Sequence, residues 1–150
     1  MNLEIKKFDK LTGREVYEIL RVRSEVFVVE QDCVYNDEDG KDLEAVHILI
    51  KEEGKILAYL RVLKAGVSYK NPSLGRVLVA SEARKRGLAR KIVCAGIDYI
   101  INNWDEEKIT IGAQDYLRKF YESLGFEAVS EVYSEDGIPH VDMTYNRNKL

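Results

Sequence analysis

Three shortages in this 150-residue chain, in cysteine, in basic charge and in long apolar runs, each exclude a class of protein. The two cysteines, Cys33 and Cys94, are too few and too far apart for a disulfide framework or a zinc site. The net charge of −3 argues against nucleic acid as the main partner. No apolar run approaches the roughly 20 residues of a membrane span. We therefore expect no metal, nucleic acid or membrane among the partners.

The beginning of the chain also lacks the pattern of a secretory signal. Its first ten residues contain three lysines and two acidic residues, and no apolar core follows them. Together with the interpretation of both cysteines as reduced thiols, this predicts a cytoplasmic protein. A content of 45% hydrophobic and 33% charged residues suits one globular domain over residues 1–150, which we expect to be a monomer or a homodimer.

A short apolar strand, a basic turn and a long amphipathic helix form the stretch that organises the chain. Residues 77–80 are apolar and rich in valine, which predicts a buried strand. Over residues 88–104 apolar side chains recur every three or four positions, which predicts a helix. The turn before this helix holds three cations, although the helix dipole disfavours positive charge there. An anion bound by the free N–H groups of the turn would account for them, and Gly87 would let the backbone approach that anion.

The sequence of this turn excludes two common phosphate-binding loops and matches a third pattern. Neither GxxxxGK[ST] nor GxGxxG is present. Residues 84–89 fit [R/Q]-x-x-G-x-[G/A] and resemble the acyl-CoA pyrophosphate loop of the GNAT superfamily of N-acetyltransferases. The alternative is a solvated basic helix start with an incidental glycine, and the six residues alone do not separate the two.

A second motif lies about 30 residues further along the chain and resembles the same superfamily. Gln114 is followed seven residues later by Tyr121 and then by Gly125 and Phe126, as in the GNAT segment N-x-x-A-x-x-h-Y-x-x-x-G-F. Two further stretches, residues 20–31 and 136–143, resemble the ElaA-type branch of that superfamily.

The predicted elements follow the order β-α-β-β-β-α-β-α-β-β, which resembles a GNAT domain over nearly the whole chain. Thr12 and Glu15 form a capping box that predicts the start of the first helix. Glycine-containing turns at residues 52–55 and 136–137 predict two hairpins, the second between strands at residues 126–133 and 140–145. The resemblance implies an α/β (α+β) fold, with a mixed, mostly antiparallel central sheet that is flanked by helices and contains a splayed parallel strand pair.

One arginine and one acidic segment stand out in the first third of the chain. Arg23 falls on the apolar face of the first predicted helix, so it either reaches out to solvent or pairs with a buried carboxylate. Residues 30–44 carry seven acidic side chains, but aligned on Gly40 they fail the EF-hand pattern, so calcium is rejected. We interpret the segment as a solvated polar loop, and the alternative is a negative surface that attracts a cationic amine.

The resemblance assigns roles to the two motifs and to the strand before the turn. In the family the pantetheine arm of the cofactor lies in the gap beside this strand, and a tyrosine lies near the thioester sulfur. Tyr121 would be the catalytic acid that protonates the departing thiolate. The residues that would bind acetyl-CoA are Val77, Leu78 and Val79 through their main chain, the turn residues Arg84, Lys85, Arg86, Gly87, Leu88 and Ala89, and Gln114.

The implied reaction is direct attack of an amine on the thioester of acetyl-CoA in a ternary complex, without a metal. The acceptor is a small-molecule or peptide amine of unknown identity. The base is open between a water chain and four residues: His47, His140, Glu30 and Glu44. Two alternatives remain: a non-catalytic acyl-CoA-binding domain, and an acyltransferase like the acyl-homoserine-lactone synthases. Residues 23–27 of this chain resemble the amino end of those synthases. The two intact motifs argue against the second.

Overall fold

The computed structural model describes residues 1–149, in which eight strands form two four-stranded sheets with three α-helices packed against them. None of these helices is long and apolar enough to cross a membrane. The elements in chain order are β1 (Asn2–Lys7), α1 (Gly13–Arg23), β2 (Val46–Glu52), β3 (Lys55–Leu63), β4 (Ser73–Val79), α2 (Leu88–Trp104), β5 (Lys108–Gln114), α3 (Arg118–Glu122), β6 (Phe126–Ala128), β7 (Tyr133–Glu135) and β8 (Ile138–Asn146).

The first sheet has the antiparallel order β1-β2-β3-β4 and is covered by a helix on each face. On one face Ile19 and Val22 of α1 pack in a cluster with Leu49 and other residues of the sheet. On the other face α2 approaches so closely that a Cβ added at Gly96 would lie 2.8 Å from Leu74 Cδ2. Alternating side chains of the middle strands are therefore buried on both faces, as the apolar runs of β2 and β3 predict.

The second sheet is built on β8, which pairs with β5 along one edge and with both β6 and β7 along the other. The sequence predicts one continuous strand over residues 126–133, and this is wrong. The strand is interrupted because Ser130 Oγ accepts the N–H of Asp142 at 2.9 Å, in place of a main-chain partner. The predicted hairpin turn is present, with both Asp136 (φ 52°) and Gly137 (φ 79°) in the left-handed region.

The two sheets meet where β4 and β5 run side by side without forming a ladder. Among the main-chain hydrogen bonds of the described residues, one joins the beginnings of these strands, from Thr110 N–H to the carbonyl oxygen of Pro72 at 3.0 Å. Beyond this bond the strands separate, and a cleft opens between their carboxyl-terminal halves. The expectation of a mixed, mostly antiparallel fold with a splayed parallel pair and flanking helices is confirmed.

A β-bulge in β4 accompanies the separation. Tyr59 lies opposite Leu78 and Arg61 lies opposite Gly75, so two residues of β4 face the single residue between them on β3. Arg76, the first of these two, has φ 50°, which is uncommon for a residue that is not glycine. Strands bend at bulges, so the bulge turns the end of β4 away from β5.

The first helix does not end at Arg23 but continues as a π-helical segment, Ser24–Glu30. The N–H groups of Gln31 and Cys33 bond to carbonyl oxygens five residues earlier. Val26 and Phe27, which the sequence places on the same apolar face as the residues of α1, still pack against the core beneath that helix. The wider turn carries these two residues and Glu30 to the wall of the cleft.

Candidate active site

The cleft between β4 and β5 has a volume of about 1120 Å³. Single small-molecule sites usually measure about 300–1,000 Å³, so this cleft has room for two substrates side by side. One end lies against the basic turn and α3. The other end lies between β8, the segment after the π-helix and the loop before β4.

The basic turn presents unpaired main-chain donors to the cleft. Lys85 and Gly87 both have left-handed backbone conformations, with φ 67° and φ 74°. Among the described hydrogen bonds, none has a main-chain N–H of residues 85–89 as its donor. These groups stand at the start of a 17-residue helix, whose dipole favours an anion there. No atom lies within 4 Å of a Cβ added at Gly87, so the turn is open and fits a phosphate group.

The charged side chains of this turn are distributed unevenly. Arg84 donates two hydrogen bonds to the carboxylate of Glu30, the longer at 2.6 Å, and its Nε donates to the carbonyl oxygen of Val79 at 3.2 Å. The pair closes one side of the cleft, and the hydrogen bond from Arg84 lowers the pKa of Glu30. Arg86 points away from the cleft, where its Nη2 lies 3.3 Å from Glu52, and Lys85 lines the cleft.

The main chain of β4 presents alternate residues to the cleft. The N–H of Ala80 bonds to β3 at 2.8 Å, and in an antiparallel ladder every second residue directs its main-chain groups to the same side. Leu78 therefore directs its N–H and C=O toward β3, and its side chain packs beneath α1. Val79 therefore directs its N–H toward the cleft, while its carbonyl oxygen accepts from Arg84 Nε. Val77 also lines the cleft, but it is one of the two bulge residues, so the alternation does not extend to its main chain. Of the three residues that the sequence groups together, Val79 has a main-chain N–H available to a ligand.

Tyr121 stands in the wall of the cleft on the side of α3. Its ring packs edge to face against Phe120 and Phe126, with centroid distances of 5.1 and 5.7 Å, and the residue is 6% exposed. Its hydroxyl has no hydrogen-bond partner among the described residues and is not fully enclosed. Burial, and to a smaller extent the nearby Tyr116, raises the pKa of this phenol to about 12. The hydroxyl therefore stays protonated at neutral pH and can donate into the cleft.

The opposite wall carries Gln114 and His140, which face each other across the β5–β8 ladder. The side-chain amide of Gln114 donates to Gln31 Oε1 at 3.3 Å. His140 is 8% exposed, its Nδ1 lies 2.8 Å from the carbonyl oxygen of Ile138, and its Nε2 lies 3.4 Å from Glu135 Oε2. The sequence names His140 among four candidate bases, and it lines the cleft.

The remaining candidate bases are less well placed. His47 is 1% exposed and lies near α1, away from the cleft, with both ring nitrogens hydrogen-bonded. Burial lowers the pKa of His47 despite its bond to the carbonyl of Asp42. Glu44 is exposed and does not line the cleft. Glu30 does line it, but its carboxylate is engaged by Arg84, which makes it a weaker base.

Arg23 is fully buried and pairs with carboxylates, as one of the two sequence interpretations predicts. Its Nε donates to Asp37 Oδ2 and its Nη1 to Asp42 Oδ1, each at 2.7 Å. Burial opposes the charge on Arg23, but the hydrogen bond to Asp42 and the nearby groups Tyr59, Asp37 and Asp42 outweigh it and raise the pKa of the guanidinium. The helix face is therefore apolar around one arginine that forms two ion pairs.

Two more arginines join this cluster and contradict the interpretation of residues 30–44 as a solvated polar loop. Arg76 at the bulge donates to Asp37 Oδ1 at 2.8 Å, and Arg61 donates to Asp39 at 2.6 Å. Asp37 is 5% exposed. Three arginines thus neutralise three aspartates of this segment, so these aspartates do not form a free negative surface either. No sequence signal marks Arg76, because its role depends on the bulge.

A family comparison identifies the chain. The family described as "Acetyltransferase (GNAT) domain" matches residues 12–147, and the chain belongs to it. Its cleft, basic turn and tyrosine therefore stand in a GNAT-type acyltransferase fold.

Individual relatives agree with this family. Protein ElaA of Escherichia coli (strain K12) is 38% identical over 136 residues, which cover 89% of this chain and 89% of ElaA. The solved structure of Escherichia coli ElaA matches with a TM-score of 0.90 at 34% identity, over 97% of this chain and 99% of that one. An acyl-CoA N-acyltransferase from Pseudomonas aeruginosa matches with a TM-score of 0.91 at 37% identity, over the same shares.

The fold also resembles that of the acyl-homoserine-lactone synthase LasI, with a TM-score of 0.81 over 98% of this chain and 90% of LasI. The sequence identity is 16%, so this likeness concerns the fold alone.

Among the described residues, no group of three or more histidine, cysteine, aspartate or glutamate side chains is placed to hold a metal ion.

Proposed function

We propose that this protein transfers an acetyl group from acetyl-CoA to the amine of a small molecule or peptide, by direct attack in a ternary complex. The observation that carries the proposal is one cleft with two kinds of donor. Free N–H groups of the basic turn lie at one end, and the unpaired hydroxyl of Tyr121 lies in the wall. The first suits a pyrophosphate, and the second suits a sulfur that gains charge.

The chemistry needs a donor for the carbonyl oxygen and an acid for the departing sulfur. Val77 and Val79 line the cleft, and the alternation of β4 directs the N–H of Val79 into it, so this N–H is suited to the carbonyl oxygen. Tyr121 is suited to the sulfur, because burial keeps its phenol protonated, so that it can donate a hydrogen bond to the charge that develops there. Arg84, Lys85, Gly87, Leu88 and Ala89 line the cleft at the turn, where acetyl-CoA would be held.

The cellular setting belongs to the same proposal. Cys33 and Cys94 are free thiols, which supports a location in the reducing cytoplasm, where acetyl-CoA is available. Gln114 shares a face with His140 and contacts Gln31. We therefore place it between the end of the cleft that would hold the cofactor and the end that would hold the acceptor.

The first test is a screen of amines for acetyl-CoA-dependent thiol release, followed by Tyr121→Phe on the best acceptor. We expect acetyl-CoA binding to persist and turnover to fall about 10²–10⁴-fold, because only the proton donor is lost. Tyr17→Phe removes a hydroxyl from an exposed tyrosine on α1 and is the matched control. Turnover of Tyr121→Phe within a few-fold of wild type would make Tyr121 a packing residue.

The same screen separates the two alternatives. An enzyme like the acyl-homoserine-lactone synthases would bind S-adenosylmethionine. Calorimetry with that compound and with acetyl-CoA therefore distinguishes such an enzyme from an acetyl-CoA-dependent acetyltransferase. A non-catalytic acyl-CoA-binding domain would bind acetyl-CoA but release no thiol with any amine. Binding of acetyl-CoA together with amine-dependent release supports the proposal over both.

A further inference from the structure

We propose that His140 is the base that receives the proton of the attacking amine, and that Glu135 is its positioning residue. This inference rests on the proposed acetyl transfer and names the group that the sequence left open among several candidates. It is carried by the hydrogen bonds of the imidazole ring and by its place in the cleft.

The hydrogen bonds of His140 decide which ring nitrogen carries the proton in the neutral ring. Its Nδ1 lies 2.8 Å from the carbonyl oxygen of Ile138, and a carbonyl oxygen can only accept, so Nδ1 is the donor. The lone pair of the neutral ring is therefore on Nε2. The Glu135 carboxylate lies 3.4 Å from Nε2, where it can stabilise the imidazolium once a proton has been taken up.

His140 and Tyr121 lie on opposite sides of the gap between β4 and β5. The side chain of His140 shares a face with that of Gln114, because directly paired residues of a ladder point the same way. Val141, the next residue of β8, points to the other face and packs in the same core as Tyr121. The base and the acid therefore approach the gap from different faces, which lets the amine enter on one side while the thiol leaves on the other.

The groups around the imidazole come from three elements. From β7, Tyr133 stacks on the ring with a centroid distance of 6.1 Å, and Glu135 reaches it with a largely exposed carboxylate. Asp136 of the hairpin turn also lines the cleft. The thiol of Cys33, after the π-helix, donates to the Asp136 carbonyl at 3.5 Å.

In the proposed step, the nitrogen of a neutral amine forms the C–N bond as the C–S bond breaks. Nε2 of His140 takes the proton that this nitrogen sheds, and Tyr121 gives its proton to the sulfur. The imidazolium then returns a proton to the tyrosinate through solvent. The products are an amide and a free thiol, and the protein regains its starting protonation.

The first test reads the ring tautomers in the wild-type protein, whose sequence contains two histidines. Nε2 of His47 lies 2.9 Å from the carbonyl oxygen of Asp42, so His47 is the opposite tautomer and carries its proton on Nε2. Nitrogen-15 shifts of the neutral rings distinguish the two forms, and His47→Gln assigns the signals. We expect His140 as the Nδ1–H form. A His140 ring with its proton on Nε2 would overturn the proposal.

The second test is kinetic. In His140→Gln we expect turnover to fall about 10²–10⁴-fold with acetyl-CoA binding within about three-fold of wild type, because only the base is removed. His47→Gln is the control, since it changes the chain's other histidine and leaves the cleft intact. We expect its folded fraction to keep turnover within a few-fold of wild type. His140→Gln with turnover in that same range would refute the role of His140.

Glu135→Gln tests the positioning role. Without this carboxylate the ring loses its contact at Nε2, so we expect kcat to fall while the KM for the amine and the affinity for acetyl-CoA stay within about three-fold of wild type. Glu135→Asp should restore part of kcat. A kcat of Glu135→Gln equal to that of wild type would remove Glu135 from the proposal. A wild-type protein that acetylates no amine would refute the proposed function itself, whereas an active His140→Gln refutes only the assignment of the base.

Discussion

The buried guanidinium of Arg23 allows a stability prediction with a built-in comparison. Arg23 is 0% exposed and donates to Asp37 and Asp42, whereas Arg21, two residues earlier on the same helix, is exposed and pairs with Glu18 and Glu25. Arg23→Ala and Arg21→Ala therefore remove the same side chain from two environments of one helix.

The expected magnitudes differ several-fold. Removing one partner of a buried ion pair costs about 3–5 kcal/mol, and an exposed pair contributes about 0–1 kcal/mol. Each aspartate keeps a second arginine, Arg76 for Asp37 and Arg61 for Asp42, so no carboxylate is left alone and we expect about 3 kcal/mol for Arg23→Ala. In a chain of this size each kcal/mol shifts Tm by about 2–4 °C, which gives a loss of roughly 6–12 °C.

Calorimetric or circular-dichroism melts of the two variants at pH 7 measure the difference. Arg21→Ala should melt within about 4 °C of wild type, because it loses at most about 1 kcal/mol. Arg23→Met adds a second comparison, since an unbranched apolar side chain refills part of the space while the ion pairs are lost. A melting temperature of Arg23→Ala equal to that of Arg21→Ala would show that the pairing contributes nothing beyond an exposed contact.

Two further predictions concern the basic turn and the start of α1. Arg84→Glu places a second carboxylate beside Glu30, and Gly87→Asp puts an acidic side chain at a left-handed position, so both should weaken acetyl-CoA binding by about tenfold or more in calorimetry. Wild-type affinity in both variants would contradict an anion site there. Burial opposes ionisation of Glu15, but bonds from Lys51, the Thr12 N–H and Lys6 outweigh it and lower its pKa from 4.5 to about 2. The contribution of ionised Glu15 to the free energy of unfolding is complete above pH 4.5 and is lost as the pH falls toward 2. The Tm of Glu15→Gln should therefore be lower than that of wild type at pH 7 and equal to it near pH 2. An equal Tm at pH 7 would contradict this reasoning.

Much of the fold follows from local signals in the sequence. The capping box of Thr12 and Glu15 is present with both of its hydrogen bonds, and α2 spans the predicted residues. Gly125 of the second motif has φ 101° and follows the short helix α3 in a left-handed conformation, which suits glycine. These features depend on residues within one or two turns of each other, which is why periodicity and turn chemistry identify them.

The features that sequence reasoning missed depend on distant partners. The bulge at Arg76 is held by Asp37, 39 residues away, and the break after β6 depends on Ser130 bonding to Asp142 across the sheet. The π-helical segment gives no pattern of its own, because its apolar residues also fit an α-helix. Long-range pairing of this kind has no local signature.

In the candidate site, too, local motifs predict some features and contacts outside those motifs determine the others. The turn and Tyr121 belong to contiguous motifs and were identified from them, although their roles remain predictions. The pairing of Arg84 with Glu30 and the bond of His140 to Ile138 fix the charge and tautomer of the site, and neither is encoded in a motif. Sequence reasoning thus named the groups, and the geometry distinguishes among them.

The main-chain bond between Thr110 and Pro72, which alone joins β4 and β5 within residues 1–149, also bears on how the cleft is assembled. The strands of each sheet come from one continuous stretch of chain, residues 2–79 for the first sheet and 108–146 for the second. The basic turn belongs to the stretch before residue 105, whereas Tyr121 and His140 both belong to the later one. Neither half contains a complete cleft, so the geometry that we propose for catalysis exists only where the two halves pack together.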